Sequence, residues 1–275
     1  VRDLLPRTEA ATTTQTLLRN GNQIKVQTAS ETHLSRSLGS TNQIAYLNLR
    51  EYTTVSADRV RDDYTSLVSA GSGGSKGVIL DLRQNGGGSL SGAWNLTDFL
   101  GPSSVDNQIM FSLQQQSQGF DYRFGVYGSN LGITDPSKFV ILIDGSSASA
   151  SEVTSAALKD LGIATLMGGI TYGKGVGQNV VGLIDGSGVY ITSFELLSPL
   201  GNSWHDLGVS PDYPLSTALP ATPTDDTLLQ AAIDFLETGS VSQATTSHRT
   251  TISPLLLSVP PYSHPWDGGS RQDLQ

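Results

Sequence analysis

The stretch that decides the fold is residues 139–167, which read FVILIDGSSASASEVTSAALKDLGIATLM. Five apolar residues open it, Phe139–Ile143, as is typical of a strand buried on both faces. After a polar turn, residues 150–161 repeat apolar side chains at helical spacing, and residues 163–167 form a second apolar strand. A strand–helix–strand unit of this kind predicts parallel pairing and an α/β core built from βαβ units.

The residues on either side continue the pattern. The other predicted strands are 23–27, as a single strand, then 44–49, 77–82, 180–184 and 189–194. Three other helices are predicted: one that begins at Ser56, one that contains Trp94 and Leu100, and one over residues 225–237. Segment 101–135 is polar, and we interpret it as a surface excursion with a hairpin around Tyr122–Tyr127.

Composition and charge exclude several classes of protein. The chain has 275 residues and a net charge of −9, and a diffuse acidic balance argues against a nucleic-acid partner. It has no cysteine, so disulfides and a cysteine nucleophile are excluded. The four histidines are scattered without metal-ligand spacing, and no metal or cofactor is expected.

The sequence also carries expectations about location. No apolar run approaches the ~18–20 residues that would span a bilayer. The chain begins at Val1 rather than Met and shows no signal segment, which suggests either a processed product or an excised part of a longer chain, without its targeting segment. We expect an extracytoplasmic protein, periplasmic or secreted.

Ser149 lies just before the predicted helix 150–161, at the carboxyl end of the predicted sheet. Free backbone N–H groups and the helix dipole favour a developing negative charge at this place, so a serine there can act as a nucleophile. Serine is also a common helix cap. Taken alone, the window is more simply interpreted as a cap.

Lys174 stands between two glycines in the segment 172–178, which follows strand 163–167. If its amine is buried, desolvation favours the neutral form, which can accept a proton, and Ser–Lys pairs are a known alternative to Ser-His-Asp. An exposed lysine in a glycine-rich turn is the simpler interpretation of this window alone. A phosphate loop of the form GxxxxGK[ST] is excluded because Gly175 follows the lysine.

Three consecutive glycines, Gly86–Gly88, follow the strand at 77–82. Without side chains, their N–H groups can face a ligand and form an oxyanion hole. A tight strand-to-helix turn is the alternative interpretation of the same residues.

Together, the three windows resemble the tail-specific, or C-terminal-processing, serine protease family. The matching segments are DLRQNGGG at 81–88, SASASE at 147–152 and TYGKGVGQ at 171–178. The resemblance covers about residues 43–238. It implies an α/β fold like that of crotonase and Clp protease, with additional small β elements, and peptide-bond hydrolysis through an acyl-enzyme.

The resemblance also implies roles for individual residues. Ser149 would be the nucleophile, Lys174 the base, and Gln178 the residue that orients the lysine. The residues assigned a supporting role are Ala150 and Gly87 or Gly88, for a backbone oxyanion hole, and Glu152, Asp160 and Asn85. His205 precedes Asp206, which suggests a His–Asp pair, but we expect His205 to be a hydrogen-bonding loop residue.

The chain divides into three segments on this interpretation. Residues 1–42 would be a remnant of, or a link from, a PDZ domain; residues 43–239 would be the Ser/Lys protease core; residues 240–275 would be a Ser/Thr/Pro-rich tail. The expected partner is a polypeptide substrate, cleaved near its C-terminus, and a homo-oligomer stays open. Two other functions also stay open: a non-catalytic ligand- or peptide-binding relative, and an acyl-CoA enzyme.

Overall fold

The computed structural model describes residues 12–19, 22–29, 35–40, 43–69, 76–115, 120–125, 135–217 and 226–241. The strands are, in chain order, β1 (Thr12–Arg19), β2 (Asn22–Ala29), β3 (Arg36–Leu38), β4 (Ile44–Asn48), β5 (Gly77–Asp81), β6 (Ile109–Gln115), β7 (Phe120–Gly125), β8 (Phe139–Ile143), β9 (Thr165–Gly168), β10 (Val176–Gly182), β11 (Gly188–Leu197) and β12 (Tyr213–Pro214). The α-helices are α1 (Ser56–Ser69), α2 (Leu90–Leu100), α3 (Ala150–Asp160) and α4 (Thr227–Thr238).

A six-stranded sheet forms the centre of the fold, in the order β12-β9-β8-β5-β4-β3. All neighbours pair in parallel except β3, which is antiparallel to β4. Every residue of β4, β5 and β8 is buried, as expected for strands covered on both faces. The predicted α/β core of βαβ units is confirmed.

Alternate residues of the central strands feed two apolar clusters, one on each face of the sheet. Leu47, Leu80 and Ile141 pack with residues of helices α1, α2 and α3. On the other face Ile79 and Leu142 pack with helix α4. The strands are therefore packed on both faces, which fixes the positions at which the loops at their carboxyl ends begin.

A second sheet, in the order β10-β11-β6-β7, is antiparallel throughout. Its strands β6 and β7 correct the interpretation of segment 101–135 as a surface excursion. Met110 and Phe111 are fully buried, and Phe111 stacks on Phe124 with ring centroids 4.5 Å apart. The hairpin pairs residues 109–115 with 120–125, so Tyr122 lies within its second strand.

Several element boundaries differ from the predicted ones. The single strand predicted at 23–27 is the second strand of an antiparallel pair, β1 and β2. Strand β3 joins the core sheet, which therefore begins before residue 43. Strand β10 starts at Val176 rather than at 180, and places Gln178 within a strand. Residues 126–134, Asp225 and the tail after residue 241 lie outside the described part of the chain.

A charged cluster ties the closing helix to the sheet. Arg83 donates to both carboxylate oxygens of Asp81, through Nε at 3.0 Å and Nη2 at 2.7 Å. It also donates to Asp226 through two bonds of 2.8 Å. Asp226 caps α4, accepting from Leu229 N–H at 3.0 Å. The helix is thereby held against the carboxyl end of β5.

Candidate active site

Three loops meet at the carboxyl edge of the central sheet because strands β9, β8 and β5 are neighbours and parallel. Residues 82–89 follow β5 and contain the glycines. Residues 144–149 follow β8 and end in Ser149. Residues 169–175 follow β9 and contain Lys174. The sheet order thus brings together the three windows that the sequence singled out.

The turn before Ser149 is organised by the buried carboxylate of Asp144. Its Oδ1 accepts from the N–H groups of Ser146, at 2.9 Å, and Ser147, at 3.1 Å. It also accepts from Gln84 N–H at 3.1 Å, and Gln84 Nε2 donates to Oδ2 at 2.6 Å. The Ser147 hydroxyl donates to Leu82 O at 2.9 Å. These bonds fix the serine turn against the glycine loop.

Ser149 adopts an unusual backbone conformation, with φ of 55° and ψ of −113°, at the N-cap of α3. Positive φ at a residue other than glycine is strained by about 1–3 kcal/mol and occurs often at functional sites. Its side chain is half-buried. Such strain persists only where the surrounding structure holds the residue in place.

Asn85 joins the glycine loop to the serine turn. Its carbonyl oxygen accepts from Ala148 N–H at 3.0 Å and from the Ser151 hydroxyl at 2.9 Å. Its side chain donates to Leu49 O at 3.0 Å and accepts from Gly87 N–H at 2.9 Å. Asn85 is fully buried, so all these bonds lie away from water.

The amides assigned to an oxyanion hole differ in their hydrogen bonding. Gly87 N–H is already donated to Asn85. Within the described part of the chain, the N–H groups of Gly88 and Ala150 make no hydrogen bond. These two amides are therefore free to receive an anionic oxygen.

Gly87 lies directly against Ser149. A Cβ on Gly87 would lie 2.8 Å from Ser149 Cβ and 2.9 Å from Ala150 N, and Gly87 has φ of +98°. Only glycine satisfies both the space and the backbone conformation there.

Sequence reasoning missed the residue that clamps the glycine loop from the other side. Tyr52 N–H donates to Gly87 O at 2.9 Å, and Tyr52 O accepts from Ser89 N–H at 2.8 Å. A Cβ on Gly88 would lie 2.1 Å from Tyr52 O. The signal that could have indicated such a partner is the glycine run itself, which allows close backbone approach.

The lysine loop is held through its backbone. Tyr172 N–H donates to Ser147 O at 2.9 Å, which links the loop to the serine turn. Gly173 O accepts from Asp206 N–H at 2.9 Å, and Gly175 O accepts from Leu196 N–H at 2.8 Å. Lys174 itself is half-buried. No hydrogen bond joins Lys174 Nζ to Ser149 Oγ or to another described residue.

Glu152 connects the serine turn with the lysine loop. It is completely buried, and its carboxylate accepts four hydrogen bonds. The donors are Ser149 N–H at 2.7 Å, Thr171 Oγ1 at 2.6 Å, Gly173 N–H at 2.6 Å and Lys174 N–H at 2.8 Å.

Of three further candidates, Gln178 and Asp160 make no contact by hydrogen bond with Ser149 or Lys174, and His205 borders the lysine loop. Gln178 is exposed in β10, and no hydrogen bond to Lys174 is present. Asp160 ends α3, ten residues after Ala150 and therefore about 15 Å along the helix, where it accepts from Leu200 N–H at 3.4 Å. His205 lies beside the lysine loop, with Nδ1 3.3 Å from Gly173 O, and is a hydrogen-bonding loop residue.

In the described ranges, no three or more His, Cys, Asp or Glu side chains group closely enough to hold a metal ion. No helix in those ranges has the length and apolar character needed to cross a membrane.

Comparisons with known proteins agree on one family. A model described as peptidase family S41 matches residues 43–215. The chloroplastic C-terminal processing peptidase of Tetradesmus obliquus is 34% identical over 183 residues, covering 66% of this chain and 37% of that protein. A carboxyl-terminal-processing protease of Synechocystis sp. is 32% identical over 220 residues, covering 78% and 48%. This chain therefore spans less than half the length of either relative.

A solved structure gives the same picture. The photosystem II D1 C-terminal processing protease superposes with a TM-score of 0.61 at 27% sequence identity. The match covers 78% of this chain and 57% of that chain.

Proposed function

The chain belongs to peptidase family S41, and on this premise we propose that it is a serine endopeptidase that cleaves polypeptides near their C-termini with a Ser149–Lys174 pair. The observation that carries the proposal is the convergence of Ser149, the Gly87–Gly88 backbone and the Lys174 loop at one edge of the sheet. A helix cap alone would need neither the strained backbone of Ser149 nor the glycine packed against it.

The reaction proceeds in two halves through an acyl-enzyme. Ser149 Oγ bonds to the scissile carbonyl carbon while its proton passes to the neutral amine of Lys174. The same proton then moves to the leaving nitrogen as the C–N bond breaks. Water attacks the resulting ester and gives a proton to Lys174, which returns it to Ser149 Oγ as the new carboxyl group departs.

The backbone N–H groups of Gly88 and Ala150 would stabilise the negative oxygen that forms on the carbonyl. Ala150 N–H also lies at the N-terminus of α3, where the helix dipole favours negative charge. Gly87 contributes by lacking a side chain rather than by donating, because Asn85 already accepts its N–H.

Proton transfer needs Lys174 Nζ within about 2.6–3.2 Å of Ser149 Oγ. The backbone of Lys174 is fixed by Glu152, so only the flexible side chain has to move to reach that distance. Gln178 would orient the amine once the side chain has turned inward, and Gln178→Ala is expected to lower the turnover rate without changing stability.

The first test replaces the nucleophile and a matched serine. Ser149→Ala should abolish hydrolysis of casein or a reporter peptide, and it should abolish labelling by a serine-reactive fluorophosphonate. Ser146→Ala is the control, because Ser146 is an exposed serine of the same turn. If Ser149→Ala kept full activity, the proposal would be wrong. If the wild type bound peptide but was neither labelled nor active, the chain would be a non-catalytic binding relative.

The second test addresses the base. Lys174→Ala should abolish hydrolysis, because no amine is left to accept the proton of Ser149. Lys174→Arg keeps the positive charge but cannot release a proton, so it should be inactive at every pH. Hydrolysis at the wild-type rate by either variant would contradict the role of Lys174 as the base.

Selectivity and location are also proposals. A peptide with a free C-terminal carboxylate should be cleaved faster than the same peptide amidated at that end, with cleavage sites mapped by mass spectrometry. Equal rates would mean that cleavage does not depend on the C-terminus. The extracytoplasmic location predicted from the sequence can be checked by cell fractionation.

A further inference from the structure

We propose that Glu152 is a positioning residue that fixes the backbones of Ser149 and Lys174 relative to each other. Thr171 links Glu152 to the turn formed by residues 204–209. The inference rests on the proposed function and assigns Glu152 a defined role in it. Glu152 would not touch the substrate; it would act through the two residues that do.

The carboxylate of Glu152 is shared between the two catalytic loops. Its Oε2 accepts from the N–H of Ser149 at 2.7 Å and from the N–H of Lys174 at 2.8 Å. One oxygen atom therefore sets the distance between the backbones of the nucleophile and the base. The other oxygen accepts from Thr171 and Gly173, on the lysine loop.

The use of a carboxylate here needs an explanation, because burying a charge without a counter-ion is unfavourable. Glu152 is fully buried, and within the described part of the chain it forms no ion pair. Four hydrogen bonds and the N-terminal turn of α3 replace the lost hydration. A side chain that served only to fill space would be apolar. The arrangement is explained if the four donors must be held in one place.

Thr171 relays this constraint to a third loop. Its hydroxyl donates to Glu152 Oε1 at 2.6 Å and accepts from Val209 N–H at 2.6 Å. The turn ending at Val209 in turn supports the lysine loop, since Asp206 N–H donates to Gly173 O at 2.9 Å. The backbone of the lysine loop is thus held by Glu152 on one side and by the 204–209 turn on the other. Thr171 connects these two supports.

The decisive variant is Glu152→Gln, which keeps the shape but replaces one oxygen by an NH₂ group. In either orientation that group faces an N–H donor, at Gly173 or at Ser149 and Lys174, and cannot accept from it. A hydrogen bond to a charged group corresponds to about 10- to 100-fold in rate. We therefore expect kcat to fall by about 10- to 100-fold with KM within about 3-fold.

Glu237→Gln is the matched control. Glu237 also accepts two hydrogen bonds, from Ser40 N–H and Oγ, but it lies in α4 and contacts none of the three loops. Its kcat should match that of the wild type. If Glu152→Gln kept kcat within about 3-fold while Ser149→Ala was inactive, the inference would be wrong and the proposed function would stand. A rise in KM with unchanged kcat would also overturn it.

Two variants of Thr171 test the inference even if Glu152→Gln fails to fold. Thr171→Ser keeps the hydroxyl and should retain kcat within about 3-fold, whereas Thr171→Val removes it at constant shape and should lower kcat about 10-fold or more. Equal kcat values in these two variants would contradict the relay.

Hydrogen exchange tests the same idea without any activity. The amides of Gly173 and Lys174 should exchange faster in Glu152→Gln than in the wild type, and at wild-type rates in Glu237→Gln. Should the wild type prove inactive and unlabelled, the proposed function fails. Unchanged exchange at these two amides would reject the role of Glu152 in either case.

Discussion

Gly87→Ala should disable the site while leaving the fold intact. The new Cβ would lie 2.8 Å from Ser149 Cβ, 2.9 Å from Ala150 N and 2.6 Å from Ala148 O. Carbon atoms in ordinary contact are at least about 3.5 Å apart, so Ser149 Cβ and Gly87 must separate by about 3.5 − 2.8 = 0.7 Å.

A shift of this size is large for a catalytic group. A misplacement of about 1 Å can lower activity about 100-fold, so 0.7 Å predicts a loss in kcat/KM of one to two orders of magnitude. Alanine at φ of +98° adds backbone strain of about 1–3 kcal/mol, which should appear as a lower Tm.

The assay compares kcat/KM on a reporter peptide and the rate of fluorophosphonate labelling with the Tm of each variant. Gly86→Ala is the control, because nothing lies within 4 Å of its Cβ and its φ is not positive. It should behave like the wild type in activity. A folded Gly87→Ala variant with activity within about 3-fold of wild type would contradict the proposal that Gly87 packs against a catalytic Ser149, as would an equal loss in Gly86→Ala.

Two further predictions concern stability. Asp226 is desolvated by burial, but its bonds to Arg83 outweigh this and lower its pKa. Its contribution is therefore complete above the unfolded pKa of about 3.9 and is lost as pH falls. Asp226→Asn should lower the free energy of unfolding by about 1–3 kcal/mol at pH 7 and flatten its decline in acid, measured by urea titration; an unchanged acid profile would contradict the ion pair. Phe111→Ala should cost about 3–5 kcal/mol through lost packing on Phe124, whereas exposed Ile184→Ala should cost under about 0.5 kcal/mol; similar losses would contradict the burial of β6.

Local patterns were sufficient for much of the fold. The apolar run of β8 and the helical spacing of α3 were found within a residue or two, because both depend on neighbours along the chain. Strand β6 was missed because its apolar side chains are buried against residues of other elements, and those contacts cannot be recognised within the segment itself. The polar residues around β6 and β7 made the segment resemble a surface loop.

In the candidate site, too, some residues could be predicted from the sequence and others could not. Ser149, Lys174 and the glycine run stand out by residue type and position relative to predicted strands. The role of Tyr52 and the three bonds of Glu152 to the lysine loop are not visible in any window, since the contacting residues differ in number by 19 for Glu152 and Thr171 and by 37 for Tyr52 and Ser89.

The sequence by itself determined the strand–helix–strand pattern of the core, the glycines that permit close backbone contact, and the residue types able to carry the chemistry, because each depends on local propensity and side-chain type. Only the tertiary structure decided that these residues meet. Parallel pairing of β5, β8 and β9 sets their loops side by side, and the buried carboxylate of Glu152 fixes the serine turn to the lysine loop across 22 residues of chain. Such contacts depend on sheet register and burial, and neither is a property of residues adjacent in sequence.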